Sequence, residues 1–372
     1  MNLIHTPTQQ ALYESIYTMA KGMNSDKTAD LRSRWLRCGE VGLLGVPIAK
    51  EYGGSGLDMF HTAVALEALG NGCKDNGFSF SVAAHLLACS IPLNLFANHS
   101  QKQHYLVPMT TGSYIAANAM TESESGSDAF NMHSTATSVD TGYLVQATKL
   151  FVSNAPDADV VLLYVATDRS KGFFGGISAM LLEKGEYEVG KAYDKVGLQS
   201  CSLSDVYVNH KILPIERMVN KAGSGGQLFN QSMIWERIGM AAMHVGTMQR
   251  VLECCVAYSR ERKSAGSPIS KLQAVAHTIA DMQVVVETCR ATVYRSAQLA
   301  DTGKDATKHA SIAKLYVSEQ IQLYMQKALQ LHGGYGYLSD YGVATDLRDV
   351  LAATLYSGTS AIQRNIIAGY MA

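Results

Sequence analysis

The chain has 372 residues, of which 47% are apolar and 17% charged, and its 31 basic and 32 acidic side chains leave a formal net charge of −1. At about 150 residues per domain, this length predicts two or three domains with a sizeable core. The balanced charge excludes the basic footprint of a nucleic-acid or anionic-membrane binder, and a charged fraction below the typical ~25% favours a protein that buries surface between subunits.

Signals for export or membrane insertion are not apparent in the sequence. No run approaches the ~20 apolar residues of a membrane span, and residues 1–7 lack the basic and apolar regions of a signal peptide. Seven cysteines without a Cys-x-x-Cys pair are typical of reduced thiols, and the eleven histidines show no metal-ligand spacing. We therefore expect a cytoplasmic protein with no metal site.

Three zones with different residue patterns follow one another along the chain. Residues 9–113 are predicted to be mainly helical, because apolar residues recur at helical spacing and fill a long stretch. Residues 114–218 carry short runs of β-formers bounded by turn residues, which predicts an antiparallel barrel or sandwich. A glycine-rich loop, 223–226, opens a second helical zone. The pattern predicts an α+β fold with domains over residues 1–115, 116–222 and 223–372.

The first candidate site, residues 119–128, lies where the first helical zone gives way to the β zone. Its sequence is Ala-Met-Thr-Glu-Ser-Glu-Ser-Gly-Ser-Asp. Hydroxyl and backbone N–H groups packed this densely can hydrogen-bond the polar edge of a flat cofactor. A solvated turn is the alternative, and it explains the same composition.

Two further candidate segments lie near the C-terminus. Residues 330–336 contain three glycines, which let the backbone approach a ligand or another subunit, or which end a helix and begin a turn. Residues 356–364 form a loop that starts the final helix, with Thr359 or Ser360 as its N-cap. Each segment alone is a weak indication of function.

Together, in this order, the segments resemble the acyl-CoA dehydrogenase superfamily of flavoproteins over essentially the whole chain. The resemblance implies an N-terminal helical domain, a middle antiparallel β-barrel domain and a C-terminal four-helix bundle, assembled as a homotetramer or a dimer. It also implies an FAD bound between domains and across a subunit boundary. The matching motifs are residues 119–128, 149–154, 195–198, 262–273, 330–336, 348–349 and 356–359.

The resemblance also implies which residues contact the cofactor. The flavin ring is assigned Thr121, Gly126 and Ser127 on one side, with Phe151 and Ser153 on the other. The remaining assignments are Arg262, Ser264, Ile269 and Gln273 along the diphosphate, Gln330, Gly333 and Gly334 at the adenosine from a neighbouring subunit, and Thr359 and Ala361 after the catalytic loop.

The family reaction needs a carboxylate that removes the α proton of an acyl thioester while a hydride passes to flavin N5. Many members carry it as the Glu of Tyr-Glu-Gly-Thr, where this chain has Ser357. Other members place it on the first helix of the C-terminal domain, where this chain has Glu236. Glu236 and Arg237 are the only formally charged residues between Gly226 and Arg250, and a charge in so apolar a helix needs a partner or a function. A solvated edge or an interface ion pair is the alternative.

Two departures from the family concern the substrate. Ile234 replaces an Asp that faces pantetheine in relatives using CoA esters, and residues 198–203 lack the Arg and Thr usual in that loop. Both favour a carrier-protein thioester. The backbone N–H of Ser357 still suits the contact with the thioester carbonyl, so Ser357 remains a catalytic candidate. The predicted substrate contacts are Ser127, Trp235, Arg237 and Tyr356, although a packed core indole also explains Trp235.

The leading hypothesis is an FAD-dependent dehydrogenase of secondary metabolism that oxidises a short hydroxyacyl or aminoacyl group on an acyl or peptidyl carrier protein. A CoA-thioester dehydrogenase with a relocated base is the nearest alternative. A flavin monooxygenase on the same fold would require an external flavin reductase, and a non-catalytic assembly protein would not copurify with flavin. The expected electron acceptor is an electron-transferring flavoprotein or oxygen.

Overall fold

The computed structural model of the protein describes residues 6–26, 29–129 and 131–372, with Phe174 described by its backbone alone. Most of the segment checked for a signal peptide therefore lies outside the described residues. The N-terminal helices are α1 (Pro7–Met23), α2 (Leu31–Glu40), α3 (Met59–Gly72), α4 (Asn76–Ala84), α5 (Ile91–Phe96), α6 (His99–Gln101) and α7 (Val107–Thr111).

Strands dominate the middle of the chain, and long helices follow them. The middle elements are β1 (Ala116–Ala119), β2 (Thr135–Val139), β3 (Gly142–Ser153), β4 (Val160–Ala166), α8 (Phe173–Gly176), β5 (Ile177–Glu183), β6 (Glu188–Val189) and β7 (Leu203–Leu213). The later elements are α9 (Gly225–Glu261), β8 (Lys263–Ser264), β9 (Ser267–Pro268), α10 (Gln273–Asp301), α11 (Thr307–His332), α12 (Val343–Asp349) and α13 (Ser360–Gly369).

Aspartate side chains fix where several N-terminal helices begin. Asp30, Asp58 and Asp75 precede α2, α3 and α4, and each carboxylate accepts a hydrogen bond from the backbone N–H three residues later. Such a cap satisfies one of the donors that a helix start leaves unpaired. The positions of these three helices therefore follow from local sequence.

The longest helix, α9, forms the centre of the molecule. Its residues from Glu236 to Leu252 are buried on almost every side, because α3, α10 and α11 pack against it. A helix that is apolar all round is typical of such a core position. The short α13 packs on α11, so α9, α10, α11 and α13 make up the predicted C-terminal bundle.

The strands of the middle domain form one seven-stranded sheet, in the order β1-β4-β2-β3-β7-β6 with β5 paired to β4. Antiparallel pairing is confirmed for β2–β3, β3–β7, β4–β5 and β6–β7. It is wrong for β1 and β2, which both run parallel to β4. The predicted middle β domain is therefore present, with a sheet that mixes parallel and antiparallel pairs.

One helical segment is longer and more apolar than the sequence analysis recognised. Residues 76–96 are long and apolar enough to cross a membrane, but 83% of the most apolar window is buried inside the protein. That burial is typical of a core helix and explains the composition without a membrane. All seven cysteines are free, and no metal-binding cluster of His, Cys, Asp or Glu occurs in the described ranges.

Two glycines let α3 and α9 cross with their backbones in contact. A Cβ on Gly246 would lie 2.0 Å from the Glu67 carbonyl oxygen, and a Cβ on Gly70 would lie 2.0 Å from the Met243 carbonyl oxygen. We expect Gly246→Ala to lower the free energy of unfolding by about 3 kcal/mol, because the helices must separate over a buried face. In Gly22→Ala the new Cβ has open space in α1, so urea unfolding should show unchanged or slightly higher stability. Equal losses in the two variants would contradict this account.

Candidate active site

Glu236 and Ser357 meet in the structure although 121 positions separate them in the sequence. The Ser357 hydroxyl donates to Oε1 of Glu236 at 2.5 Å. Each residue is only 9% exposed. Within the described residues, no group donates a hydrogen bond to Oε2 of Glu236, so one carboxylate oxygen is held and the other is open.

The surroundings of Glu236 favour a proton acceptor. Burial raises the pKa of its carboxyl above the ordinary value, against the hydrogen bond from Ser357 and the charges of Arg237 and Lys314. A carboxylate whose pKa is raised towards neutrality is suited to general-base catalysis. Neither cation forms a direct ion pair with Glu236 among the described contacts.

Hydrogen bonds from three helices hold the loop that carries Ser357. Arg237 of α9 donates through Nε to the Ser357 carbonyl at 3.3 Å, and Gln363 of α13 donates through Nε2 to the same oxygen at 3.0 Å. Lys314 of α11 donates to the Gly358 carbonyl at 2.7 Å, and burial lowers the pKa of Lys314 to about 8. Ser357 has a φ of 55°, a left-handed conformation that a non-glycine residue keeps only where its surroundings fix it.

Tyr356 forms an aromatic wall beside this pair. Its ring lies 4.8 Å from that of Phe80 and 6.2 Å from that of His244, and its hydroxyl is hydrogen-bonded to Nε2 of His244. Burial lowers the pKa of His244 to about 4, so the imidazole is neutral at pH 7. The wall therefore adds a polar contact without adding a charge.

Helix α4 connects the Glu236 pocket to the end of β3. Phe80 contacts Tyr356, and the next residue, Ser81, donates its hydroxyl to Oδ1 of Asn154 at 2.5 Å. Asn154 in turn donates to the carbonyls of Ser81 and Ala116. These hydrogen bonds hold Asn154 and, with it, the neighbouring Ser153 at the end of β3.

Phe151 lies in an irregular part of β3. The β3–β7 register shifts between Lys149 and Val152, and Phe151 there has a φ of 56° and a side chain 58% exposed. An exposed aromatic residue in a left-handed conformation is an outlier of the kind found at binding sites. Thr121 is its neighbour, since the Leu150 N–H donates to the Thr121 carbonyl at 2.8 Å.

The other predicted flavin contacts, Gly126 and Ser127, lie in the exposed part of the same loop. A Cβ added to Gly126 would meet nothing within 4 Å. Beneath the loop, Glu122 accepts from Nζ of the buried Lys149 at 2.7 Å and from the backbone N–H groups of His133 and Ser134. Glu122 therefore holds the loop in place and is not an open carboxylate.

A cavity of about 520 Å³ lies at the far end of α9. Its lining includes five of the predicted cofactor residues, Arg262, Ser264, Ile269, Gly333 and Gly334. The Arg262 guanidinium lies 5.0 Å from the Tyr335 ring, and Cβ atoms on the two glycines would meet nothing within 4 Å. A guanidinium beside open backbone suits an anionic diphosphate, so these residues fit that part of an FAD. Gln273 and Gln330 are exposed near helix ends and outside the described lining.

The cavity and Glu236 are far apart within one chain. Glu236 lies 25 residues before the end of α9, which corresponds to about 38 Å along the helix axis. Arg262 follows that end directly. The Glu236 pocket and the cavity at Arg262 are therefore two separate places within one chain.

The remaining predicted residues occupy varied positions. Thr359 is the N-cap of α13, since its hydroxyl accepts from the Ile362 N–H at 3.3 Å, and Ala361 is exposed in the first turn. Ile234 and Trp235 are partly buried and pack against the main core. Whether Trp235 also contacts substrate stays a prediction.

Four residues of the site were not predicted, namely Phe80, His244, Lys314 and Gln363. Lys314 interrupts the buried face of α11 formed by Ala310, Ala313 and Val317, and a charge at such a position is a usable signal. His244 is the one imidazole in the apolar part of α9. Gln363 has no sequence signal, since its contacts with the loop depend on the turn before α13.

Comparison with known proteins identifies the relatives of the chain. The chain matches the acyl-CoA dehydrogenase N-terminal domain over residues 5–113, the middle domain over 117–210 and the C-terminal domain over 223–371. It is 37% identical over 371 residues to an L-prolyl-[peptidyl-carrier protein] dehydrogenase from a Serratia species, covering 97% of this chain and 96% of the relative.

Two further similarities bear on the substrate. The chain is 35% identical to the short-chain specific acyl-CoA dehydrogenase of Clostridium acetobutylicum, covering 90% of this chain and 88% of that protein. A solved structure described as PigA with FAD and proline has 35% identity and a TM-score of 0.95, covering 100% of this chain and 99% of the other.

Proposed function

The chain belongs to the acyl-CoA dehydrogenase family, and on that premise we propose that it oxidises a short aminoacyl or hydroxyacyl group held as a thioester on an acyl or peptidyl carrier protein. FAD is the cofactor and Glu236 is the base in this proposal. The first support is the similarity to a prolyl-carrier-protein dehydrogenase over nearly the whole chain. The second is Glu236 itself, which lies buried beside the loop where the family binds the thioester.

The state of Glu236 is the observation that carries the proposal. It is one of five buried carboxylates in the described residues, and it has one hydrogen bond, from a hydroxyl. The others are engaged more fully, Glu67 with Arg290, Glu122 with Lys149, Asp346 with Arg250, and Asp349 with Asn76 and the Leu198 N–H. Glu236 is therefore the buried carboxylate best prepared to receive a proton.

Residues of this chain remove the substrate proton and bind the thioester carbonyl. Oε2 of Glu236 takes the proton from the carbon next to the thioester. The Ser357 N–H donates to no described acceptor, which leaves it available to the thioester oxygen as negative charge develops there. FAD, when bound, accepts the hydride that leaves the substrate. Tyr356 and Phe80 exclude water from the same space.

Cofactor binding in this proposal uses two subunits. Residues near Phe151 and Ser153 serve the flavin ring of one protomer, and the cavity at Arg262 serves the diphosphate of a partner's cofactor. The distance along α9 supports this division. Exposed Tyr337 (79%) and Leu338 (51%) lie beside the cavity, and apolar side chains there suit a subunit contact. The proposal therefore includes a homo-oligomer, and a cytoplasmic location remains part of it as an expectation from the sequence.

The side chain of Ile234 supports a thioester on a carrier protein rather than on CoA. An apolar side chain partly buried against the core offers no charge to pantetheine. The CoA-thioester alternative is favoured by the similarity to a short-chain acyl-CoA dehydrogenase. The two alternatives differ in the handle alone, so one experiment distinguishes them.

We expect anaerobic bleaching of the bound flavin by L-prolyl-carrier protein and by short hydroxyacyl-carrier proteins. The same acyl groups as CoA thioesters should bleach it at least about 10-fold more slowly, the size of one lost favourable contact of about 1.4 kcal/mol. Stopped-flow absorbance measures both sets. Butyryl-CoA serves as the reference for ordinary acyl-CoA oxidation.

Equal or faster bleaching by the CoA esters would contradict the preference for a carrier-protein thioester but would still support an acyl-thioester dehydrogenase. Bleaching by no thioester would contradict the dehydrogenase itself. In that case, oxygen-dependent turnover that requires an external flavin reductase would identify a monooxygenase.

A further inference from the structure

The backbone of Ser357 is held in place by contacts that do not involve its side chain. Its left-handed backbone, with a φ of 55°, is held by hydrogen bonds from Arg237 and Gln363 to its carbonyl oxygen. These contacts come from two different helices, and together they fix the backbone conformation of Ser357. The hydroxyl is thereby aimed at Oε1 of Glu236.

The hydrogen bond between the two side chains has one possible direction when Glu236 is ionised. A carboxylate only accepts, so the Ser357 hydroxyl must donate, and the 2.5 Å separation is typical of a bond from a hydroxyl to a carboxylate. It is the one hydrogen bond to Glu236 among the described residues. The Glu236 carboxylate therefore depends on Ser357 for its orientation.

We propose that Ser357 is a positioning residue whose hydroxyl holds Oε1 of Glu236 and turns Oε2 towards the substrate. This role rests on the proposed function, in which Glu236 is the base. It is separate from the backbone N–H of Ser357, which any residue at this position would retain. The side chain acts through Glu236 and need not touch the substrate.

The same hydrogen bond opposes the effect of burial on the base. Burial raises the pKa of Glu236, and the Ser357 donor acts to lower it by stabilising the charged form. Without the hydroxyl, the carboxyl is protonated over a wider pH range, and the base is inactive in that range. Charges that face Glu236 from the packed elements are Arg237 of the same helix and Lys314 of α11. The other titratable groups near it are His244, whose pKa burial lowers, and Cys89, Tyr164 and Tyr356, whose pKa values burial raises, so all four are neutral at pH 7. These charges remain when Ser357 is changed.

The test uses Ser357→Ala and Ser357→Gly in the flavin-loaded full-length protein. Both variants lack the hydroxyl, while Gly also relieves the left-handed backbone. With L-prolyl-carrier protein, or the thioester that bleaches the flavin fastest, we expect the acid limb of the reduction rate to move up by about one to two pH units in both. The rate at the alkaline plateau should fall less than about 10-fold, as befits a change in orientation.

A second readout does not depend on turnover. Infrared difference spectra between each protein and its Glu236→Gln counterpart report the carboxyl band of Glu236 as pH changes. The midpoint of that band should rise in Ser357→Ala and Ser357→Gly. Unchanged midpoints and acid limbs in both variants would overturn the positioning role. A shift seen in Ser357→Ala but not in Ser357→Gly would also overturn it, because backbone strain rather than loss of the hydroxyl would then be the cause. Native flavin reduction in Glu236→Gln would instead contradict the proposed base, a separate failure.

Discussion

Glu236→Gln is expected to slow reduction of the flavin by thioester about 10²–10⁴-fold, the range that a positioned general base contributes. The amide cannot accept the α proton, but its oxygen can still accept the hydrogen bond from Ser357. The hydrogen bonds from Arg237 and Gln363 to the Ser357 carbonyl should therefore remain, and the flavin site should stay intact. Stopped-flow reduction measures the rate, and the flavin absorbance of the purified variant measures cofactor content.

Glu253→Gln is the matched control, because Glu253 lies on the same helix, is exposed, and accepts a hydrogen bond from Gln249 alone among the described residues. Its reduction rate should equal that of the native protein. A native rate in Glu236→Gln would remove Glu236 from the mechanism. None of the other four buried carboxylates has an open oxygen beside the Ser357 loop in the described contacts, so the reaction itself would then need revision.

Glu236 could be singled out from the sequence as the candidate base because its sequence context is unusual. A single Glu–Arg pair in an otherwise apolar helix is visible from the sequence alone and needs an explanation. The resemblance to the family then supplied the alternative position for the base. The contact of Glu236 with Ser357 was not predictable. It depends on a left-handed residue 121 positions away, and no local pattern specifies either the φ angle or the meeting of the two segments.

The cofactor residues show a similar division. The family order placed Arg262, Ser264 and Gly333 together, and the structure gathers them in one cavity. The irregular strand that exposes Phe151 has no signature in residue pattern, because a register shift depends on the partner strand. The parallel pairing of β1 with β4 was missed for the same reason, since runs of β-formers identify strands and leave their order open.

The largest effect on stability is expected from Lys149→Met. Nζ of Lys149 is fully buried and donates to Glu122 at 2.7 Å and to the Met120 carbonyl at 3.1 Å. Removing the cation leaves a buried carboxylate uncompensated, which costs about 3–5 kcal/mol. The same bonds anchor the loop before Gly126, so flavin content should also fall. Urea unfolding followed by circular dichroism gives the free energy of unfolding.

Two controls isolate the buried charge as the cause. Lys171→Met removes the exposed ion pair to Asp168 in the same domain, and such a pair is worth at most about 1 kcal/mol. In the native protein burial acts to raise the pKa of Glu122, but the charge and hydrogen bond of Lys149, with hydrogen bonds from Ser134 and His133, outweigh burial and lower the pKa. The stability from that ionised carboxylate is present above the ordinary Glu pKa of about 4.3 and is lost as pH falls. The difference between native protein and Lys149→Met should therefore shrink in acid, whereas a packing defect alone would persist at every pH.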